Sequence, residues 1–132
     1  MSDGYSELFI EHMDAPRNTG VLPDANGFAE TTNPVCGDVL RLAVRVDHGV
    51  VRAAMFQARG CGGAVAAASL LTELVAGKRI EEALALSRER LAEEAGGLPA
   101  SKLHTAQLAV DALRAAIVDY ATRHPDAAPA DG

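Results

Sequence analysis

The sequence predicts an α+β domain, a small antiparallel sheet of about three strands with helices packed on one face. Two observations predict the sheet and one predicts the helical layer. Apolar residues alternate with polar or small ones over Val39–Val46, and a second such run follows over Val50–Arg59 after a short turn. An Ala-rich apolar block, Ala64–Ala76, comes next, and later Leu103, Ala106, Val110, Leu113, Ile117 and Tyr120 recur at helical intervals. Strands grouped ahead of helices, rather than interleaved with them, place the helices together on one side of the sheet.

The elements follow in order. Tyr5–Met13 carries Tyr5, Leu8, Phe9 and Met13 at helical spacing, with Ser2 or Asp3 as the expected cap. The Pro-, Gly-, Asn- and Asp-rich stretch that follows is loop. Phe28–Asn33 is a weaker strand pattern. In Val39–Val46, Leu40, Leu42, Val44 and Val46 form one face, with Arg41, Ala43 and Arg45 opposite. Asp47-His48-Gly49 is the turn, its glycine free to take positive φ. In the next strand Ala54, Phe56 and Ala58 share a face, but Arg52 has the same parity and breaks the pattern at its start. Gly60-Cys61-Gly62-Gly63 ends the sheet pattern, and Gly77 stops the Ala-rich helix as a glycine just past a helix end does. Ile80–Leu86 and Arg88–Glu94 are short helical pieces, Gly96-Gly97 a hinge or loop, and Pro99 or Ser101 the start of the last helix. Residues 1–124 are expected to form a single domain, and residues 125–132, small, polar and Pro-containing, a disordered tail.

Composition narrows the function. The 132 residues carry 12 basic and 18 acidic side chains, a net charge of −6, which argues against nucleic acid as partner, since phosphate binding needs a basic surface. No apolar run approaches the ~18 residues of a membrane span, so no membrane partner is expected. The polar, acidic start lacks the pattern of a signal peptide, and two cysteines make no disulfide framework, so a cytoplasmic location with reduced thiols is expected.

Both cysteines fall at breaks in regular structure. Cys36 precedes the first strong strand and Cys61 follows the second. Pairing those strands as a hairpin brings both sulfurs to one edge of the sheet. Cys61 also opens a helix, where unpaired N–H groups and the helix dipole favour a thiolate. Asp38 adds a hard oxygen donor near Cys36, and His104, in the first turn of the last helix, offers an imidazole nitrogen. Each residue alone has an ordinary structural reading: a small buried thiol, a turn carboxylate, an exposed imidazole. His12, His48 and His124 carry no chemical expectation, and Arg41, Arg45 and Arg52 form a solvated sheet face that could also meet an acidic partner.

Taken together, Pro16-Arg17-Asn18-x-Gly20, Asn33-Pro34-x-Cys36-Gly37-Asp38, Gly60-Cys61-Gly62 with its following helix, and Leu98-Pro99-x-x-Lys102-Leu103-His104 resemble the IscU/NifU-type iron–sulfur cluster scaffold family over Tyr5 to about Tyr120. The resemblance implies the SufE/NifU-like α+β fold and a non-enzymatic scaffold that assembles a transient [2Fe–2S] cluster. It further implies sulfur supply from a cysteine desulfurase and delivery of the cluster to acceptor proteins.

The chain departs from the family pattern where a third cysteine usually follows the histidine: here Thr105 stands after His104. In the family that cysteine is a cluster ligand and a main candidate for receiving persulfide sulfur, roles for which threonine is unsuited. Cys36, Asp38, Cys61 and His104 remain as a four-donor set, sufficient for a [2Fe–2S] cluster or, in isolated protein, for Zn2+. Sulfur would then arrive on Cys36 or Cys61, or as free sulfide. Leu98-Pro99-Ala100-Ser101-Lys102 replaces the family's Leu-Pro-Pro-Val-Lys, which weakens the peptide an Hsp70-type chaperone holds. The zinc-dependent SufU branch fits less well, because no long insertion separates the Ala-rich helix from the last one. Two alternatives stand beside the scaffold: a zinc-binding sulfur-relay protein, and a divergent regulatory or interaction paralogue suggested by Thr105.

Overall fold

A computed structural model describes residues 5–34 and 37–124. The expected tail, residues 125–132, and Cys36 lie outside the described residues. The element order is α1 (Glu7–Asp14), β1 (Gly27–Thr32), β2 (Val39–Asp47), β3 (Val50–Arg59), α2 (Gly62–Val75), α3 (Ile80–Leu84), α4 (Arg88–Glu94), a single 3-10 turn (Ala100–Lys102) and α5 (Leu103–Arg123). The strands pair in the order β1-β2-β3, antiparallel throughout.

The β2–β3 hairpin closes through His48 and Gly49, both at positive φ (54° and 77°), the pairing of conformations that matches strand twist in a two-residue turn. Leu40, Leu42, Val44 and Val46 are buried, as their alternation predicts. The awkward parity of Arg52 is resolved by a β-bulge. Arg45 pairs with Ala53 and Val46 with Val51, so Arg52 is an extra residue. The slip turns Val51 into the core and Arg52 outward, and from Ala54 onward the original parity holds.

Helices α5 and α2 cover the inner face, α5 over β1 and β2, and α2 along β3. Their buried side chains join the sheet's in one core around Phe9, Leu42, Phe56, Leu71, Leu113 and Ile117. Gly27 is what lets α5 settle on the sheet. A Cβ there would lie 2.5 Å from the Ala116 carbonyl oxygen and 2.9 Å from both Tyr120 Cβ and Val44 Cγ2. Gly77, at φ 85°, ends α2 in the expected place, and its N–H donates to the Val51 carbonyl, tying the helix end to β3.

Helix α1 begins later than its apolar spacing predicts. Ser6, not Ser2 or Asp3, is the cap: its hydroxyl oxygen accepts from the Phe9 N–H at 3.0 Å and donates to the Ala95 carbonyl. Tyr5 therefore precedes the helix while its ring still packs against Phe9 at a tilt of 38°, ring centroids 5.0 Å apart. The far end of α1 is fastened by polar groups. His12, fully buried, places Nδ1 2.6 Å from Ser69 Oγ on α2, and Arg17 donates to its Nε2 at 3.0 Å. The Arg17 backbone N–H also donates to Ser69 Oγ at 2.8 Å. Its Nε2 also lies 3.3 Å from Glu73 Oε1, and burial, with the Arg17 charge, lowers the proton affinity of this histidine.

Candidate functional site

The hairpin register brings the end of β3 beside the start of β2: Val39 pairs with Arg59. Asp38 and Cys61, each just beyond that pair, are in contact; the expected meeting of the two sulfurs involves Cys36, which lies outside the described residues. The Cys61 backbone N–H donates to Asp38 Oδ1 at 3.2 Å, and its thiol donates to Oδ2 at 3.3 Å. Asp38 is 4% exposed, whereas Cys61 is exposed. A buried carboxylate thus presents a thiol to solvent.

Glycines clear the space for this contact. A Cβ on Gly60, which sits at φ 146°, would lie 2.1 Å from Asp38 Oδ1. On Gly62 it would meet Met13 Cγ at 2.8 Å. On Gly63 it would lie 3.2 Å from Thr105 Cγ2, 3.4 Å from the Tyr5 hydroxyl and 3.8 Å from Cys61 Sγ. The open side of Gly63 is therefore ringed by Tyr5, Cys61 and Thr105, three residues from separate parts of the chain. Helical spacing marked Tyr5 and Met13 only as apolar positions, so their nearness to the site was not legible. The departure at position 105 thus lies next to Cys61.

Thr105 is turned inward. It is 1% exposed, and its hydroxyl donates to the Lys102 carbonyl at 2.8 Å, a helical back-bond to the preceding turn. His104, half-buried, has Nδ1 3.1 Å from the Ser101 carbonyl, which makes Nδ1 the donor and leaves Nε2 as the nitrogen free to act as a ligand. It lines an open hollow of about 570 Å³ together with Asn33 and Pro34, the two residues before the undescribed Val35-Cys36 pair. Among the described residues, no three His, Cys, Asp or Glu side chains gather in a metal-binding arrangement. Of the four expected donors, Asp38 and Cys61 are in contact, and His104 faces the hollow beside the β1–β2 loop.

Cys61 is the N-cap of α2, yet its thiol is held above the ordinary cysteine range. Partial desolvation of the sulfur is the largest cause, and the hydrogen bond to and charge of Asp38 act in the same direction. Together they outweigh the N–H groups of Ala64 and Gly63, which favour the thiolate. This corrects the expectation from helix position alone: the N–H groups of the helix start favour the thiolate, but desolvation first, and the Asp38 carboxylate beside the thiol second, hold the proton on sulfur.

Among the described residues no helix is long and apolar enough to cross a membrane. The fold is similar to that of the crystal structure of a nitrogen-fixing NifU-like protein (N-terminal) from Brucella abortus: TM-score 0.73, 18% identity, covering 92% of this chain and 97% of that one. Two curated relatives are closer in sequence. Iron-sulfur cluster assembly scaffold protein IscU 1 of Archaeoglobus fulgidus is 46% identical over 116 residues, 88% of this chain and 76% of the relative. Iron-sulfur cluster assembly scaffold protein IscU of Escherichia coli (strain K12) is 44% identical over 123 residues, 90% of this chain and 95% of the relative. The model of the NifU-like N terminal domain matches residues 4–127. The chain belongs to the NifU-like N-terminal domain family.

Proposed function

We infer that this protein is a scaffold for iron–sulfur cluster assembly. It carries a transient [2Fe–2S] cluster as cargo, built with sulfur from a cysteine desulfurase and handed to acceptor proteins. The observation that carries this reading is the contact between the exposed thiol of Cys61 and the carboxylate of Asp38, which follows Cys36 by two residues in the sequence. It occurs in a chain more than two-fifths identical to IscU scaffolds.

The donor chemistry fits such cargo. Cys36 and Cys61 supply soft thiolates, Asp38 a hard oxygen and His104 an imidazole nitrogen, four donors for two irons bridged by two sulfides. Oxygen ligation keeps an iron exchangeable, which suits a cluster meant to leave. The raised thiol affinity of Cys61 couples loading to proton release, because a sulfur ligand must be deprotonated when iron binds. In isolated protein the same donors suit tetrahedral Zn2+.

The protein is not an enzyme in this reading, since its product is bound cargo. Residues 1–124 act as one unit, with reduced thiols in a cytoplasmic setting. The Leu98–Lys102 segment is the place where an Hsp70-type chaperone would engage.

Anaerobic reconstitution with ferrous iron and sulfide tests the proposal. Wild-type protein is expected to gain visible absorption of a [2Fe–2S] species, and Cys36→Ser and Cys61→Ser to lose most of it. Colourless wild-type protein after reconstitution would overturn the reading.

A further inference from the structure

Resting on the scaffold reading, we propose that the outer face of the sheet is the surface on which the cluster acceptor docks, and that this acceptor is an acidic protein with an exposed apolar side chain at the centre of its contact. Helices α2 and α5 lie on the inner face, and among the described residues no helix covers the outward side chains of the strands. The register sets Phe28, Ala43 and Met55 side by side, one from each strand, as an apolar row across that outer face. The loop before β1 extends the row with Val21 and Leu22, and these five residues line a hollow of about 220 Å³ together with Arg41. Val21 is 71% exposed and Phe28 44%, so the row leaves contiguous apolar surface in water that a partner would bury.

Charge selects the partner. The chain carries a net charge of −6, yet Arg41, Arg45, Arg52 and Arg59 all project from this face, against Glu30 and Asp47 on the same strands. Both carboxylates are already engaged, Glu30 with Arg41 at 2.9 Å and Asp47 with Arg45 at 2.8 Å. Arg52 and Arg59 form no ion pair among the described residues. Unpaired guanidinium groups around an apolar hollow draw in carboxylates, and the apolar contact then fixes the fit. Position ties the face to the cargo. A second hollow of about 280 Å³, lined by Val39, Arg41, Gln57 and Arg59 among others, continues from the first toward the Val39–Arg59 pair, beside which Asp38 and Cys61 touch. Ala43, in the first hollow, precedes that pair by about 13 Å along β2. A standard interface takes about 800 Å² of each partner, a patch roughly 30 Å across, so an acceptor centred on the hollow reaches the site.

The experiment loads the protein anaerobically with ferrous iron and free sulfide and mixes it with the apo form of a [2Fe–2S] ferredoxin of net negative charge. The acceptor's circular dichroism signal gives the transfer rate from about 20 to about 300 mM salt. Arg52→Glu/Arg59→Glu, which breaks no ion pair, is expected to transfer about tenfold more slowly than wild type at low salt, the gap closing to about twofold at high salt. Val21→Ser/Phe28→Ser alters only exposed side chains and is expected to slow transfer about fivefold at every salt concentration. Arg90→Glu/Arg114→Glu makes the same change of charge on α4 and α5 and is expected to stay within about twofold of wild type. Loading from free sulfide, and the rate at which a chelator strips the cluster, are expected to be unchanged in all three variants. Face variants that transfer as wild type does, an equal slowing in the α4–α5 variant, or a slowing matched by faster stripping would each overturn the inference. Self-association of wild type that the face variants abolish would also overturn it, giving the face to a second copy of this chain. Loaded wild type with indifferent face variants would sink only the docking assignment, whereas wild type that never loads would sink the scaffold reading and this inference with it.

Discussion

One carboxylate, Asp38, holds both ends of Cys61: Oδ1 accepts the backbone N–H and Oδ2 the thiol. Because Asp38 is buried and charged, it helps to keep the thiol protonated in the metal-free protein. Asp38→Asn removes the charge and is expected to lower the thiol's proton affinity toward that of ordinary cysteine, with desolvation still raising it. The pH dependence of alkylation rate in a Cys36→Ser background measures this. An unchanged or upward-shifted profile would show that the carboxylate does not govern the thiol.

Gly60 makes that contact sterically feasible. Gly60→Ala places a methyl 2.1 Å from Asp38 Oδ1 on a backbone at φ 146°. A destabilisation of about 1–3 kcal/mol is expected from backbone strain alone. Urea unfolding measures it, and a midpoint equal to that of wild type would contradict the packing described.

Position 27 should be equally intolerant for a different reason. Gly27→Ala would force α5 away from β1 and β2, since its Cβ meets the Ala116 carbonyl oxygen and the side chains of Tyr120 and Val44. Overpacking of this kind costs about 1–3 kcal/mol, and a drop in Tm of several degrees is expected. Thermal unfolding followed by circular dichroism checks it.

His12 gives the fold an acid-side limit. Burial, first, and the Arg17 charge, second, lower its proton affinity below 6.5, outweighing the opposing pull of Glu73 and Glu11. The unfolded chain therefore binds this proton at a higher pH than the folded one. Stability is full above about pH 6.5 and falls as pH drops from there to the depressed folded value. Protonation would also set His12 against the Arg17 guanidinium that now donates to it. Unfolding free energy measured from pH 8 to 5 should decline, and His12→Gln should flatten the His12 part of that decline while costing about 1–3 kcal/mol at neutral pH. A decline identical in the variant would contradict this account.

The fold was legible wherever one physical signal dominated. Alternation over Leu40–Val46 placed β2, and Gly77 marked the end of α2. The signal failed where a tertiary contact decided. The bulge at Arg52 reverses parity within a strand, which no period-two reading anticipates. Ser6 displaces Ser2 and Asp3 as cap because it also reaches the Ala95 carbonyl, 89 residues away. That the start of β2 lies beside the end of β3 was legible because a hairpin's register is local, but the contact between Asp38 and Cys61 was not. Nor was the raised proton affinity of that thiol, because helix position reports the dipole while desolvation and the buried carboxylate oppose it. The closeness of Thr105 to Cys61 depends on how two helix starts converge, and sequence spacing carries no such distance.

The most direct test of the central claim is cluster handover. Protein loaded anaerobically is mixed with an apo [2Fe–2S] ferredoxin, and the acceptor's circular dichroism signal is followed with and without an excess of iron chelator. The account predicts that the acceptor gains its cluster faster than the chelator strips the scaffold, and that Cys61→Ser abolishes the transfer. A loaded species that never passes to the acceptor, or passes only through iron released to solution, would contradict it.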